Sequence, residues 1–370
     1  MGQRQGAVES LVMADSFTSF YRGKKVLVTG HTGFKGGWLT AWLKILGAHL
    51  IGFALPPETR PNLFDAATTD RNMISLFGDI RNFNEISDVF FERAPEIVIH
   101  NAAQPLVRRS YREPVETYAT NVMGTVHVLE AARQTPSVKA IVIVTSDKCY
   151  ENREWFWGYR EEDAMGGHDP YSSSKGCAEL VTTAYRRSFF NQNGTAAVAT
   201  ARAGNVIAGG DWSEDRLVPD IVRGISSGAP IVIRRPTSVR PWQHVLEPIR
   251  GYLLLAQRLW ECGHGFAEPW NFGPRDADAV SVAEFSQRMI SLWGKGQLKI
   301  QPDAATPHEA QSLRLNCDKA RRQLGWQPVV TLDQALEWTV EWYRLYYENP
   351  ASALPVTETQ IRRYMRDTCA

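Results

Sequence analysis

The sequence predicts an α/β fold in which a doubly wound parallel sheet carries a smaller, mixed α/β C-terminal region. Three observations support this fold class. A short apolar run at residues 26–28 leads into a turn with three evenly spaced glycines, and an amphipathic segment follows at once. Further apolar runs are continuous rather than alternating, as in strands that are buried on both faces of a sheet. Helical patterns separate these runs, which is the strand–helix alternation of doubly wound folds.

The elements of the sheet are predicted from these two kinds of segment. Strands are expected at the apolar runs and helices at the amphipathic segments between them. After the first strand, the predicted strands are 48–55, 97–100, 140–145 and 196–201, and the predicted helices are 38–46, 84–93, 114–134 and 171–191.

Composition limits the size and the partners of the protein. The chain has 370 residues, of which 44% are hydrophobic, and this is enough for a large buried core. The formal net charge is +1, so a broad surface for nucleic acid is not expected. No apolar run is long enough to span a membrane. The five cysteines are widely spaced and form no Cys-x-x-Cys pair, which predicts a reduced, cytoplasmic protein without a metal site.

The turn formed by Gly30, Gly33 and Gly36 is the strongest local signal for a ligand. Glycine permits the backbone angles of a tight turn and lets a phosphate approach the main chain. The helix that follows offers its unpaired N–H groups and the positive end of its dipole to the same phosphate. We therefore predict a dinucleotide site, although the spacing differs from the common Gly-x-Gly-x-x-Gly pattern and a purely structural turn is the alternative.

The end of the second predicted strand lacks the acidic residue that often binds the adenosine ribose. The nearest carboxylate, Glu58, follows two prolines, and Arg60 is close to it in sequence. Because of this departure, the pattern alone leaves a ribose with a 2′-phosphate open.

Beyond residue 204 the regular alternation ends. Short apolar runs at 231–233 and 270–272 mix with helical patterns, and prolines and glycines interrupt the intervening segments. The helical patterns are 219–227, 247–262, 282–293 and 332–347, and the last dozen residues carry no clear signal. The predicted organisation is a loose tail over 1–21, a Rossmann-type dinucleotide-binding domain over 22–205, and a substrate-binding region over 206–365 that partly returns to the first domain.

Tyr171 and Lys175 form the first of two motifs that can carry chemistry. They are four residues apart and therefore share one face of a predicted helix. An ammonium beside a phenol favours the phenolate, so the pKa of Tyr171 should fall and the phenol should become usable as a base near neutral pH. An ordinary surface helix is the alternative.

The second motif is the run of Thr145, Ser146, Asp147 and Lys148, which directly follows a predicted strand. The carboxyl ends of parallel strands are where open α/β sheets bind ligands. A hydroxyl, a carboxylate and an ammonium in succession suit acid–base chemistry. A turn or a helix cap is the structural alternative.

Together these motifs resemble the extended short-chain dehydrogenase/reductase family over nearly the whole chain, from about residue 23 to 347. The Asp79-Ile80 pair and residues 101–104 add to the resemblance. It implies NAD as the cofactor, with Asp79 and Ile80 beside the adenine. The residues that it assigns to the cofactor are Gly30, Thr32, Gly33, Phe34, Lys35, Gly36, Asp79, Ile80, Ala102, Ala103, Gln104, Thr145, Tyr171 and Lys175.

The second half of the chain resembles the sugar-nucleotide enzymes of this family. An Arg-x-x-Asn-Val loop begins at Arg202, and an Arg-Leu-Val-Pro segment follows it. Surface charge is the alternative for arginines such as Arg234 and Arg235, but clustered arginines in a nearly neutral chain suit a local diphosphate site. The residues that the resemblance assigns to the nucleotide sugar are Arg202, Asn205, Arg216, Leu217, Arg234, Arg240 and Asn271.

Within the family, the Ser146-Asp147-Lys148 run resembles the 4,6-dehydratase branch that acts on a CDP-linked sugar, which implies CDP-glucose as substrate. In the implied reaction Tyr171, activated by Lys175, and Ser146 act at O4, and Asp147 protonates the departing C6 hydroxyl. A hydride passes from C4 to NAD and returns to C6. Lys148 stands where other dehydratases usually have Glu. It should lower the pKa of Asp147, and it either takes the C5 proton or stabilises the developing enolate.

Two other functions are compatible with part of this pattern. A 4-epimerase of the same family needs Ser146, Tyr171 and Lys175 but no acid–base pair for elimination. A non-catalytic dinucleotide sensor would not need the Tyr171–Lys175 pair. The resemblance further implies a homo-oligomer, a dimer or larger, and a role in deoxysugar biosynthesis for lipopolysaccharide O-antigen. Neither a nucleic acid nor a membrane is expected as a partner.

Overall fold

The computed structural model describes residues 17–301 and 313–369. Apolar, often β-branched runs form its strands because their side chains fill both faces of a pleated sheet. The strands are β1 (Lys25–Thr29), β2 (His49–Ala54), β3 (Ile74–Phe77), β4 (Ile97–His100), β5 (Ala140–Val144), β6 (Ala197–Ala203), β7 (Val206–Ile207), β8 (Ile231–Ile233), β9 (Val239–Pro241), β10 (Gln243–His244), β11 (Pro269–Phe272), β12 (Ala279–Ser281) and β13 (Leu298–Ile300).

Seven of these strands form one parallel sheet in the order β11-β6-β5-β4-β1-β2-β3. The order reverses between β1 and β4, which is the topological switch point of a doubly wound fold. The predicted fold class is therefore confirmed. β11 comes from the second half of the chain and extends the edge of the sheet beside β6. The other short strands pair two by two outside this sheet.

Helices cover both faces of the sheet. Those with bounds in the described residues are α1 (Phe34–Ile45), α2 (Leu63–Ala66), α3 (Phe83–Arg93), α4 (Val107–Arg112), α5 (Pro114–Tyr118), α6 (Gly124–Arg133), α7 (Pro170–Ser188), α8 (Leu217–Ser227), α9 (Leu246–Cys262), α10 (Val282–Trp293), α11 (Leu332–Glu348) and α12 (Ala353–Cys369). Among the described residues, no helix is both long and apolar enough to cross a bilayer.

Alternate side chains of the central strands enter two separate cores. Val26 and Val28 of β1 belong to the larger core, whereas Leu27 between them belongs to the smaller one. Ile141 and Val142 of β5 divide in the same way. This division explains why the strands are apolar at every position, since neither face of the sheet meets water.

Three segments differ from the predicted elements. The single helix expected over 114–134 is interrupted by a π-helical turn, Ala119–Met123, between α5 and α6. Strand β3 was not predicted, and only two of its four residues, Ser75 and Leu76, are even partly buried. The C-terminal segment without a clear signal forms α12, which buries residues such as Val356, Ile361 and Tyr364.

Candidate active site

A cavity of about 570 Å³ opens beside the carboxyl ends of β1, β2, β4 and β5. This is the position at which ligands bind in doubly wound sheets. The predicted site residues that line it are Gly30, Thr32, Gly33, Phe34, Lys35, Asp79, Ile80, Ala102, Ala103, Gln104, Thr145, Ser146, Asp147, Lys148, Tyr171, Lys175, Asn205, Arg216, Leu217, Arg234 and Arg240. The predicted cofactor half and the predicted sugar-nucleotide half therefore face one cavity.

The glycine turn gives this cavity an open backbone floor. Gly30 has a φ of +74°, and a Cβ there would lie 2.7 Å from the Cα of Ala102. Gly33 precedes α1 without a side-chain cap, and the first turn of α1 holds no acidic residue. A Cβ on Gly36 would lie 2.0 Å from the Gly30 carbonyl oxygen. Gly36 is thus not a wall of the cavity, because it packs against the turn from inside.

The wall beyond β2 carries two acidic groups that are already paired. Glu58 faces the cavity, and its carboxylate accepts two hydrogen bonds from Arg109, at 2.9 and 3.0 Å. Asp79 accepts the main-chain N–H and the guanidinium of Arg81. A carboxylate therefore does stand near the end of β2, although it comes from beyond the two prolines rather than from the strand.

The loop after β4 is fixed by the π-helical turn that interrupts the predicted helix. Asn121, in that turn, accepts the main-chain N–H of Gln104 at 2.8 Å and donates to the Gln104 carbonyl oxygen and to Ser174 on α7. The Gln104 side chain donates to Thr117. The turn thus ties the wall at Ala102, Ala103 and Gln104 to the helix that carries Tyr171. Asn121 was not identified from the sequence. Its position depends on the π-helical turn, and the sequence pattern predicted a regular helix there.

Ser146, Tyr171 and Lys175 meet at the end of β5. Ser146 and Tyr171 line the same end of the cavity, and the Lys175 ammonium donates to the Val144 carbonyl oxygen at 3.3 Å. Burial raises the pKa of Tyr171 to about 12, although Ser146 and Arg216 act in the opposite direction. The prediction that Lys175 lowers this pKa below its usual value is wrong, because burial outweighs the opposing effects of Ser146 and Arg216.

Asp147 is buried at the same strand end and accepts a hydrogen bond from the Ser146 hydroxyl at 3.0 Å. A Cβ on Gly204 would lie 2.5 Å from its carboxylate, so the glycine makes room for this side chain. Burial raises the pKa of Asp147, while Lys148 and Arg240 oppose the rise. The predicted lowering by Lys148 is real but smaller than the effect of burial, and the net result favours a protonated acid.

Ser146, Asp147, Tyr171 and Lys175 form the acid–base corner of the cavity. Lys35 extends this corner towards α9. Its ammonium donates to the Tyr252 hydroxyl at 3.3 Å. Burial, with help from Lys175 and Arg216, lowers the pKa of Lys35 to about 7, and Asp147 opposes the change. Tyr252 was missed from the sequence because it lies 217 residues from Lys35 along the chain and belongs to no motif.

The opposite wall of the cavity is rich in arginines that acidic side chains hold in place. Arg216 donates to Asp211 at 2.9 Å. Arg234 donates to Asp215 at 3.2 Å, and Arg108 approaches the same carboxylate at 3.8 Å. Arg108 was not identified from the sequence. Guanidinium groups positioned in this way suit a diphosphate, which accepts several charged hydrogen bonds.

Arg202 and Asn271 do not reach the cavity, so their predicted contacts with substrate do not match their placement. Arg202 is 3% exposed and donates to Glu179 and to Tyr150. Asn271 is buried and accepts a hydrogen bond from Tyr150 while donating to the Tyr159 carbonyl oxygen. The hydrogen-bonding groups of both side chains are used inside the protein.

Comparison with known proteins shows the family to which the chain belongs. The family model for GDP-mannose 4,6 dehydratase matches residues 27–339. The chain is 51% identical to the CDP-glucose 4,6-dehydratase of Salmonella typhimurium over 355 residues, which are 95% of this chain and 98% of that protein.

Solved structures show the same fold at lower identity. A dTDP-glucose 4,6-dehydratase from Bacillus anthracis, in complex with NAD, is 24% identical with a TM-score of 0.74 and covers 88% of this chain and 98% of its own. A dTDP-glucose 4,6-dehydratase from Streptomyces venezuelae, also solved with NAD, is 23% identical with a TM-score of 0.75. The match covers 90% of this chain and 99% of that protein. The chain therefore belongs to the GDP-mannose 4,6 dehydratase family and has the extended short-chain dehydrogenase/reductase fold.

Proposed function

We propose that the protein is a hydro-lyase that converts CDP-glucose into CDP-4-keto-6-deoxyglucose and water. The observation that carries this proposal is the 51% identity, along nearly the full length of both chains, to a CDP-glucose 4,6-dehydratase. The site supports it, because Ser146, Asp147, Tyr171 and Lys175 line one end of a cavity whose other wall carries arginines.

The cavity fits NAD as the cofactor. A Cβ on Gly33 would meet only the Gly30 carbonyl oxygen, at 3.5 Å, so the backbone before α1 is open to a phosphate. Asp79 and Ile80 would hold the adenine end, and Lys175 would hold the nicotinamide ribose. Two dTDP-glucose 4,6-dehydratases with this fold were solved with NAD, which supports the assignment. When bound, NAD would accept a hydride from C4 of the sugar and give it back at C6.

Tyr171 and Ser146 act on the O4 hydroxyl of the sugar. The Tyr171 phenolate takes the O4 proton, and Ser146 donates a hydrogen bond to the same oxygen. The pKa of Tyr171, about 12, has to fall for this step, and Arg216 and Ser146 already act in that direction. The resulting 4-keto group makes the neighbouring C5 proton acidic, which prepares the elimination.

Asp147 is the acid of the elimination. Its buried carboxyl group gives a proton to the C6 hydroxyl, and water leaves. The C5 proton is removed first, which forms the enolate that expels the C6 hydroxyl, and C5 receives a proton again when C6 is reduced. The protons therefore balance, because Tyr171 gains one, Asp147 loses one, and C5 loses one to its base and later receives one that has exchanged with solvent.

Two roles fit Lys148, which lines the cavity next to Asp147. As an amine it takes the C5 proton, and as an ammonium it stabilises the enolate. Two substitutions separate these roles. Lys148→Glu supplies a base without positive charge, whereas Lys148→Met supplies neither. Retained activity in Lys148→Glu alone supports the base, and equal loss in both variants supports the charge.

The decisive experiment incubates the purified protein with NAD and CDP-glucose and analyses the nucleotide sugar by mass spectrometry. A product lighter by one water is expected, without net accumulation of NADH. In D2O the product should carry one deuterium at C5, because C5 is reprotonated from solvent. A product of unchanged mass with inverted C4 would instead establish a 4-epimerase, and stoichiometric NADH would establish an ordinary dehydrogenase.

We also propose that the protein is a cytoplasmic homo-oligomer with a role in deoxysugar biosynthesis for O-antigen. Cys149, Cys177, Cys262 and Cys317 are free thiols, which suits a reducing compartment. α7 and its neighbours α4 and α5 expose Tyr111, Val115, Tyr118 and Leu180, and an apolar face of this kind suits contact between copies. Light scattering after size-exclusion chromatography should show a dimer or larger, and Leu180→Arg should dissociate it.

A further inference from the structure

Glu179 shares a helix face with Tyr171, which is proposed to act at O4, and with Lys175, which is proposed to hold the nicotinamide ribose. Tyr171, Lys175 and Glu179 follow one another at intervals of four residues on α7, so their side chains leave the same side of the helix. Glu179 is 2% exposed and does not line the cavity. It is thus a buried carboxylate directly behind the acid–base corner.

Four donors hold the Glu179 carboxylate. Arg202 donates to both oxygens at 2.9 Å, Thr145 donates at 2.5 Å and Thr200 at 2.7 Å. These contacts join α7 to β6, which carries Thr200 and Arg202, and to the residue that directly follows β5. Because Thr145 precedes Ser146, the same carboxylate that anchors the Lys175 helix also anchors the strand end that presents Ser146 and Asp147.

The charge of Glu179 reaches the cavity through Lys175. The Arg202 guanidinium and the two hydroxyls keep the pKa of Glu179 below its usual value in spite of burial. Burial lowers the pKa of Lys175 to about 8, and Glu179 is the largest influence that opposes this fall. The other titratable and charged groups that interact with Lys175 are Cys149 after β5, Lys35 on α1 and His100 on β4.

We propose that Glu179, clamped by Arg202, is the positioning residue of this active site: it fixes the Lys175 helix against the strand end that bears Ser146, and it places a negative charge on the helix face that carries the Lys175 ammonium. The role as an active-site device rests on the proposed dehydratase function. Arg202 is then not a substrate ligand but the partner that holds the carboxylate in place. A purely stabilising role explains the pair poorly, because a buried ion pair adds little to stability over apolar residues of the same volume.

The test measures the protonation of Lys175 in Glu179→Gln and in the double variant Glu179→Gln/Arg202→Met. Removing the carboxylate should lower the pKa of Lys175 by about one unit or more. Competitive trace acetylation across pH, followed by peptide mass spectrometry, titrates each lysine separately and needs no turnover. In parallel, the alkaline limb of kcat/KM for CDP-glucose should move to lower pH by the same amount, while KM changes little.

The double variant covers the case in which Glu179→Gln leaves an unpaired guanidinium and does not fold, because it removes both charges together. Glu130→Gln is the matched control, since it disrupts another bidentate carboxylate–arginine pair, which Glu130 forms with Arg133 at the surface. An unmoved Lys175 titration and an unmoved alkaline limb in the folded variants would overturn the proposal. A shifted titration in a protein that does not convert CDP-glucose would leave the positioning of Lys175 standing and refute the dehydratase function instead.

Discussion

Two buried carboxyl groups in this protein respond to burial in the same way but lie in different surroundings. Asp147 lines the cavity beside Ser146 and Lys148. Glu247, on α9, lies in the protein core and does not line the cavity. Burial raises the pKa of both, and that of Glu247 reaches about 7.

The hydrogen bonds of the two groups separate their roles. Glu247 accepts the main-chain N–H groups of Val329 and Val330, at 2.9 and 2.7 Å, and the Tyr364 hydroxyl at 2.7 Å. It therefore joins α9, the segment before α11, and α12. Asp147 accepts a side-chain hydrogen bond from Ser146 and is open to the cavity. A raised pKa thus indicates a proton donor only where a substrate can reach the carboxyl group, and elsewhere it indicates a structural junction.

Among the variants of residues that line the cavity, Tyr171→Phe should have the largest effect on activity. The variant loses the group that takes the O4 proton, so turnover of CDP-glucose should fall by about 100-fold or more. The melting temperature should stay close to that of the wild type, because the ring is retained. Tyr185→Phe, on the same helix and away from the cavity, is the matched control for loss of a hydroxyl. Comparable activity of Tyr171→Phe and wild type would remove Tyr171 from the mechanism.

Asp147→Asn should come next, with a loss of about 100-fold in dehydration. The amide has no acidic proton for the C6 hydroxyl, whereas the O4 and C5 steps remain. In D2O the variant should therefore exchange the C5 proton of CDP-glucose without losing water. For the wild type, the dehydration rate should fall as the pH rises through the raised pKa of Asp147, because only the protonated carboxyl group is an acid.

A different result for Asp147→Asn would place the acid elsewhere. If water loss and C5 exchange fall together, Asp147 acts before the elimination rather than in it. Glu247→Gln is the matched control. It makes the same chemical change at a buried carboxyl group that does not line the cavity, and it should leave the dehydration rate unchanged.

Glu247→Gln should instead change the pH dependence of stability. The folded protein keeps the Glu247 proton up to a pH of about 7, whereas the unfolded chain releases it near 4.5. Folding therefore takes up a proton between these values, and the Glu247 contribution to the free energy of unfolding falls as the pH rises, by about 3 kcal/mol in total. The amide does not titrate, so the variant should lack this fall and become more stable than the wild type above pH 7.

Only the difference between the two proteins isolates Glu247. Burial lowers the pKa values of His31, His100 and His244 to between about 3 and 4, so these histidines destabilise the fold as the pH falls below 6.5. Their effect is common to both proteins and cancels. Urea denaturation at pH 5 and pH 8 measures the difference, and a difference that is the same at both pH values would contradict the raised pKa of Glu247.

The sequence was sufficient to predict the residues around Asp147 at the cavity, but not the contacts around Glu247 in the core. The glycine turn, the strand end at Ser146 and the helix face of Tyr171 are local patterns, and their periodicity identifies both the element and the edge of the sheet that it reaches. Contacts that join distant segments leave no such pattern. Tyr364 lies 117 residues from Glu247 along the chain. Tyr252 was missed for the same reason, because it lies 217 residues from Lys35.

The misassigned residues have the same cause. Arg202 was matched to a motif at the correct place in the fold, but a motif does not specify whether a guanidinium faces the cavity or the core. Its direction depends on Glu179, 23 residues away on another element. Likewise, the effect of Lys148 on Asp147 had the predicted sign, and only the depth of burial determines that the net pKa rises.

Tyr364→Phe should have the smallest effect and gives the sharpest contrast with Tyr171→Phe. The change removes the hydroxyl that donates to Glu247 at 2.7 Å and leaves one oxygen of a buried carboxylate without that donor. Stability at pH 8 should therefore fall by about 1–2 kcal/mol, while activity stays at the wild-type level because neither residue lines the cavity.

The pH dependence of this loss completes the argument. Below the pKa of about 7, Glu247 is protonated, and a neutral carboxyl group needs the Tyr364 donor less than a carboxylate does. The destabilisation by Tyr364→Phe should therefore shrink as the pH is lowered from 8 to 5. In the Glu247→Gln background the loss should no longer depend on pH. A loss of activity in Tyr364→Phe at full stability would break the comparison, because it would make the Glu247 junction part of the catalytic machinery rather than of the fold.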